Sequence, residues 1–149
     1  MSGRIVVGVD GSEGSRRALQ WAIEEAALRR ARLEAVTVWE SPYDFGEVFY
    51  FPVDEQKLAD AARALLVDTI EAVRSEAAPT VEVEPVTLDG DAAARLCELS
   101  VDADLLVVGA RGHGGFAGLV LGSVSSKCAH HSRCPIVIVP GHGRRRDAP

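Results

Sequence analysis

The sequence predicts an α/β domain built on a doubly wound, five-stranded parallel sheet with helices on both faces. Three observations carry this expectation. Five short apolar runs alternate with four longer segments of helical period, in the order β-α-β-α-β-α-β-α-β. The runs Ile5–Val9 and Leu105–Val108 contain no polar side chain, as strands covered on both faces require. The intervening segments suit helical crossovers, which between parallel strands are right-handed.

Ile5-Val6-Val7-Gly8-Val9 ends in Asp10-Gly11-Ser12, a turn leading into a helix cap. Ser12 suits the cap position, and Glu13 complements the positive end of the helix dipole. Ala18, Leu19, Ala22, Ile23, Ala26 and Ala27 then recur at helical spacing, with Arg16, Arg17, Gln20 and Glu24 on the other face. Leu33 to Trp39 is the second strand. Asp54 opens a second helix with an inward stripe of Leu58, Ala62, Leu65, Thr69 and Val73, and Pro79 stops it. In the third strand, 81–88, Glu82 and Glu84 alternate with Val81 and Val83, and Pro85 interrupts the donors. That is the pattern of an edge strand with one wet face. Asp89-Gly90-Asp91 starts a short helix to about Val101. After the strand 105–108 come a glycine-rich loop from Gly109 to Gly122, a short helix over 123–131, and a last strand, Ile136-Val137-Ile138-Val139. The one long connection, 40–53, carries Tyr43, Phe45, Phe49, Tyr50 and Phe51, which suit a cap on the core or a lid or partner surface equally.

The 149 residues fit one domain, with a core over about 4–140 and a solvated tail over 141–149 that holds Arg144, Arg145 and Arg146. With 16 Lys+Arg against 22 Asp+Glu, the net charge of −6 argues against nucleic acid as a partner. No apolar run has the length of a membrane span, and the start does not resemble a signal peptide. Cys97, Cys128 and Cys134 form no Cys-x-x-Cys pair, which excludes a zinc ribbon. Cys97 reads as a small helix hydrophobe. The expected setting is cytoplasmic and reducing.

Ligands of doubly wound sheets sit outside the carboxyl ends of strands where the strand order reverses. The ends of the first and fourth strands are therefore the places to look: Gly8-Val9-Asp10-Gly11-Ser12, and the loop from Gly109 through Arg111, Gly112 and His113 to Gly122-Ser123-Val124-Ser125. Glycines there serve a long turn or let backbone approach an anion, and a helix starting near Ser123 offers N–H groups to a phosphate. The hydroxyls of Ser123 and Ser125 are candidate further donors or metal contacts, and Arg111 a candidate counter-charge. The position of the loop, between an apolar strand and a serine-rich helix start, favours the anion.

Other chemistries fail on residues. There is no G-x-x-x-x-G-K-[ST], no G-x-G-x-x-G in the first turn and no G-x-S-x-G. Asp10 lacks the acidic companions of a phosphoacceptor site. His130 and His131 are adjacent, hence on different helix flanks, and make a poor chelating pair; His113 reads as a solvated loop residue.

The run Gly109-x2-Gly112-x9-Gly122-Ser123 resembles the G-2x-G-9x-G-[ST] signature of universal stress proteins of the ATP-binding type. Ile5 to Ser12 is similar to the opening strand and turn of that family, Asp104 to Gly109 to its fourth strand, and Cys134 to Val139 to its closing strand. The resemblance runs from about Arg4 to Pro140. It implies the strand order 3-2-1-4-5, a Rossmann-like nucleotide fold and an ATP site, the accompanying ion (Mg2+ or Mn2+) being left open. Carried over by position, Gly8, Val9 and Asp10 lie under the nucleotide, with Asp10 near the ribose, and Val38 packs on adenine. Val108, Gly109 and Gly112 approach ribose and phosphates, Arg111 stands beside them, and Gly122, Ser123, Val124 and Ser125 hold the phosphate chain. Gly8 replaces the proline some members have.

The resemblance further implies a homodimer through Ile136, Val137, Ile138 and Val139, an apolar edge strand without charges of its own. No base or lysine is arranged on the phosphate loop, so any hydrolysis should be slow. The expected role is a nucleotide-dependent regulator or sensor in stress response. A slow ATPase or nucleotide-using enzyme, and a dimerising module with a vestigial pocket, are the alternatives.

Overall fold

A computed structural model describes residues 3–41, 53–78, 80–112 and 121–141. The elements are β1 (Arg4–Gly8), α1 (Glu13–Arg29), β2 (Arg32–Trp39), α2 (Glu55–Glu76), β3 (Val83–Asp89), α3 (Ala92–Ser100), β4 (Leu105–Gly109), α4 (Ser123–His131) and β5 (Ile136–Val139). The sheet order is β3-β2-β1-β4-β5, with every neighbouring pair parallel.

Alternation along each strand sorts the core into two layers. Ile5, Val7, Leu33, Ala35, Leu105 and Val107 face α1 and α2. Val6, Val36, Leu106 and Val108 face α3 and α4. A constant crossover hand demands this division. The chain steps one way from β1 to β2 to β3 and covers that face, then steps back through β4 to β5 and covers the other.

The three expected helix caps form. Ser12 caps α1, its hydroxyl accepting the Ser15 N–H at 3.2 Å. Asp54 caps α2 through the N–H groups of Gln56 and Lys57, and Asp91 caps α3 through Ala94 N–H at 2.9 Å. Gly11, with φ of 81°, makes the turn that brings Ser12 back under the helix.

Three sequence expectations shift. The inward stripe of α2 is Leu66, Thr69, Ile70 and Val73. Leu65 is 54% exposed while Leu66 is 1% exposed. Both readings satisfy a helical period, and the rotation of α2 against β2 and β3 chooses between them. Likewise Ala27 of α1 is exposed. β3 starts at Val83 rather than Val81, where its pairing with Leu33 begins. α2 ends at Glu76; Pro79, like the aromatics of the 42–52 segment, lies outside the described residues.

The amino edge of the sheet is tied by charge. The Arg4 guanidinium donates two hydrogen bonds to the Glu34 carboxylate, at 2.7 and 3.0 Å, and Arg4 N–H donates to Asp104 Oδ2 at 2.7 Å. Both side chains of the Arg4–Glu34 pair are largely sheltered, and the carboxylate holds the guanidinium pKa above its usual value, against the opposing effect of burial.

Replacing Leu66 with Ala should cost about 2–5 kcal/mol. The same change at Leu65 should stay within about 0.5 kcal/mol. Urea denaturation of the two variants measures the difference, and equal losses would return the stripe to Leu65.

Cys128 of α4 gives a second check. Burial, and next to it the neighbouring Cys97, push its thiol from 9.0 up to about 12. The unfolded thiol ionises near 9 while the folded one keeps its proton, so this group subtracts stability as pH rises from 9 toward 12. Alkylation of the native protein at about pH 8 should modify the partly exposed Cys97 and Cys134 and spare Cys128. Early modification of Cys128 under native conditions would contradict this.

Candidate functional site

The pairing of β1 with β4 ends at Val7 and Val107, whereas β1 continues along β2 to Gly8–Val36 and β4 along β5 to Gly109–Val139. Past that point Val9 N–H donates to Val36 C=O at 2.8 Å, and Ala110 N–H to Val139 C=O at 2.9 Å. The two central strands thus follow their outer partners and part from each other. Winding reverses here, and a cavity of about 650 Å³ opens.

Each site residue singled out from the sequence lines this one cavity. Gly8, Val9 and Asp10 come from the end of β1, and Val38 from β2. Val108, Gly109, Arg111 and Gly112 come from β4 and the turn after it. Gly122, Ser123, Val124 and Ser125 come from the start of α4. The loop residues between, His113 included, lie outside the described residues.

The cavity combines apolar side chains with backbone donors. Val36, Val38, Val108 and Leu96, members of one apolar cluster, supply the first. The first intrahelical bond of α4 is Ser126 N–H to Gly122 C=O at 3.0 Å, so the N–H groups of Ser123, Val124 and Ser125 precede the ladder. They carry the positive end of the helix dipole.

One expectation changes in detail. The Ser125 hydroxyl is buried and donates to Ala110 C=O at 2.7 Å, so its proton holds α4 against the end of β4. The backbone of Ser125, and the exposed Ser123, remain on the cavity side.

Gly112 is a close-approach position: a Cβ there would strike the Asp10 Oδ2 atom. Asp10 is held from the other side, its Oδ1 accepting both the N–H of Ser12, at 2.9 Å, and the Ser12 hydroxyl. The carboxylate is thus wedged between the first turn of α1 and the backbone after β4.

Ala92, Leu96, Ser15, Val36 and Glu40 also line the cavity and were not anticipated as site residues; Ser12 was anticipated only as a cap. Ala92 and Leu96 belong to α3, whose start lies at the carboxyl edge because β3 ends there. A search of every carboxyl strand end, not only those of β1 and β4, would have found them. Ser15 is one helical turn past the cap, with no sequence signal of its own.

His130 and His131 stand exposed at the far end of α4, away from the cavity; the His130 Nδ1 atom lies 2.8 Å from the Ser126 carbonyl oxygen. Among the described residues, no group of three or more His, Cys, Asp or Glu side chains is arranged to hold a metal ion.

Comparison with known proteins now adds to this geometry. The family model "Universal stress protein family" matches residues 1–140. The chain belongs to the universal stress protein family. A universal stress protein of Mycobacterium tuberculosis is 35% identical over 136 residues, which is 90% of this chain and 43% of the relative. The chain therefore spans less than half the length of that curated relative. Among solved structures, a universal stress protein in complex with cAMP is 29% identical with a TM-score of 0.65, covering 92% of this chain and 95% of that one. A universal stress protein from Archaeoglobus fulgidus in complex with dAMP has a TM-score of 0.63 at 23% identity, covering 92% and 97%; it shares the fold.

Proposed function

We propose that this universal stress protein binds an adenine nucleotide, ATP in the first place, in the cavity at the β1–β4 parting, and acts as a nucleotide-dependent regulator. One observation carries the reading: the residues nominated by the loop signature and by the first strand line a single cavity that holds both a set of apolar side chains and the α4 amino terminus. Those are the two chemistries a nucleotide presents, a base with apolar faces and an anionic phosphate. The cAMP complex of the 29% identical structure supports an adenine nucleotide here.

In this reading Val36, Val38 and Leu96 flank the base, Asp10 faces the sugar, and the N–H groups of Ser123, Val124 and Ser125 take the phosphates; all of them line the cavity. A divalent ion fits this site as a companion of the phosphates, because among the described residues the cavity offers Asp10 and Glu40 as its acidic groups and no closed cage. When bound, such an ion supplies charge neutralisation. The loop from Gly109 to Gly122 contains no lysine, which favours holding a nucleotide over turning it over.

Native mass spectrometry of freshly purified protein should show a retained adenine nucleotide. Gly112→Glu should abolish ATP binding by driving into the Asp10 carboxylate and repelling phosphate. Gly122→Glu should do so by charge, since a Cβ there makes ordinary contacts, with Arg111 Cα at 3.4 Å, Ala110 O at 3.5 Å and Gly112 N at 3.7 Å. Calorimetry with both variants folded checks this, and unchanged affinity in the two would overturn the site.

Assembly as a homodimer through β5 belongs to the same proposal. β5 is the last strand of the sheet, and Val137 and Val139 also pack on the α1 core, so charging them would test folding as well as association. Leu106 N–H donates to Pro135 C=O and Ala110 N–H to Val139 C=O. The parallel pattern then turns the Ile138 N–H away from β4. Ile138→Pro removes that outward donor at an edge position that tolerates it. Light scattering should give twice the 15.9 kDa chain mass for the wild type and the single mass for this variant. A wild-type mass of one chain at micromolar concentration would overturn the dimer.

A further inference from the structure

We propose that a second cavity, the groove between the carboxyl-terminal halves of α3 and α4, docks an acidic segment of a partner polypeptide that alternates carboxylates with apolar side chains. The groove lies at the opposite end of these helices from the nucleotide cavity and does not depend on that reading.

The groove has a volume of about 570 Å³. One wall is a face of α3, where Ala94, Cys97, Glu98 and the capping residue Val101 recur at helical spacing. Val101 is 63% exposed, so this face ends in an apolar side chain that no described element covers. The other wall is the end of α4 and the turn after it, from His130 to Arg133.

The two walls are held in place before any partner arrives. The buried Ser100 hydroxyl donates to Cys97 C=O at 2.6 Å and accepts the Arg133 N–H at 2.8 Å, which ties the last turn of α3 to the turn after α4. Ser132 Oγ donates to Cys134 C=O at 2.8 Å and closes that turn around Arg133. The Arg133 backbone is thus fixed while its side chain stays exposed. A preformed frame of this kind lowers the ordering cost of binding.

Charge decides the partner. The chain carries −6 overall, yet the one carboxylate lining the groove, Glu98, is already engaged by Arg95 Nη1 at 3.0 Å. Among the described residues no carboxylate pairs with Arg133, His130 or His131. The guanidinium of Arg133 presents a fork of donors that matches a carboxylate. Net charge repels an acidic segment from the surface at large, so unpaired donors beside apolar Val101 select for one here. The α3 face from Ala94 to Val101 is about 10 Å long, the span of three extended residues. An extended chain sends successive side chains to opposite sides, so alternation offers apolar groups to α3 and carboxylates to Arg133.

Titration of 15N-labelled protein with a heptapeptide of alternating Glu and Leu tests the docking, with Gln/Leu and Glu/Ser peptides as controls. Amide shifts should concentrate at Ala94, Cys97, Val101 and the 130–133 turn. Affinity for the Glu/Leu peptide should exceed that for each control by about tenfold. Arg133→Glu should weaken binding by about tenfold, and Arg133→Lys should keep most of it. Lys127→Glu, the same charge change at an exposed α4 position outside the groove, should leave affinity within about twofold of wild type. Dispersed spectra establish that each variant is folded. Equal binding of the Glu/Leu and Gln/Leu peptides, shifts centred elsewhere, or no shift at millimolar peptide overturns the proposal. Phosphatidylglycerol vesicles binding through these residues in place of the peptide would assign the groove to a lipid surface. A lower mass in light scattering for Arg133→Glu than for wild type would assign it to a second copy of the chain. Either result overturns peptide docking.

Discussion

β1 is the strand on which the rest of the molecule depends. Ile5, Val6 and Val7 are buried on both faces of the sheet, flanked by β2 on one side and β4 on the other. Covering two apolar faces requires two helical layers, and a constant crossover hand delivers α1 and α2 to one and α3 and α4 to the other. The same centrality makes β1 the point where winding reverses. The crossovers on its two sides run to opposite faces, β1 and β4 pair no further than Val7 and Val107, and the cavity is a by-product of how the core is covered.

The two edges of the sheet are used differently. The amino edge is closed by Arg4 against Glu34 and Asp104, contacts between strands far apart in sequence. At the carboxyl edge the cavity opens instead, lined by the end of β1, the turn after β4 and the start of α4. Such a separation lets the amino edge and the two cores stabilise the fold while the N–H groups at the start of α4 stay ahead of the helical ladder. The Ser125 hydroxyl belongs to the stabilising side, because it anchors α4 to Ala110 and so fixes where the helix amino terminus points. Beneath it the buried Cys128 packs in the second core as a neutral thiol, which ties the seat of α4 to the same layer that carries Leu96 and Val108.

A helix cap and a cavity-lining carboxylate share one hydroxyl at Ser12, so local helix stability and cavity geometry are not independent here. The turn Asp10-Gly11-Ser12 is short because Gly11 adopts a positive φ, and that shortness is what lets Ser12 reach back to Asp10. Any residue that lengthened this turn would move the carboxylate and the cap together.

The sequence determined by itself whatever depends on neighbours within a few residues. Short apolar runs marked the strands, the caps Ser12, Asp54 and Asp91 marked the helix starts, and the glycine spacing with the first strand singled out residues that converge on one cavity. Helical period leaves the rotation of α2 open by one residue, and only packing against the sheet chose Leu66 over Leu65. Ala92, Leu96 and Ser15 enter the site because the fold folds α3 and the first turn of α1 over the crevice, and no local pattern encodes that. The direction of the Ser125 proton was likewise decided by the nearness of Ala110, fifteen residues away along the chain. Local chemistry names the groups that can meet; the sheet order decides which of them do.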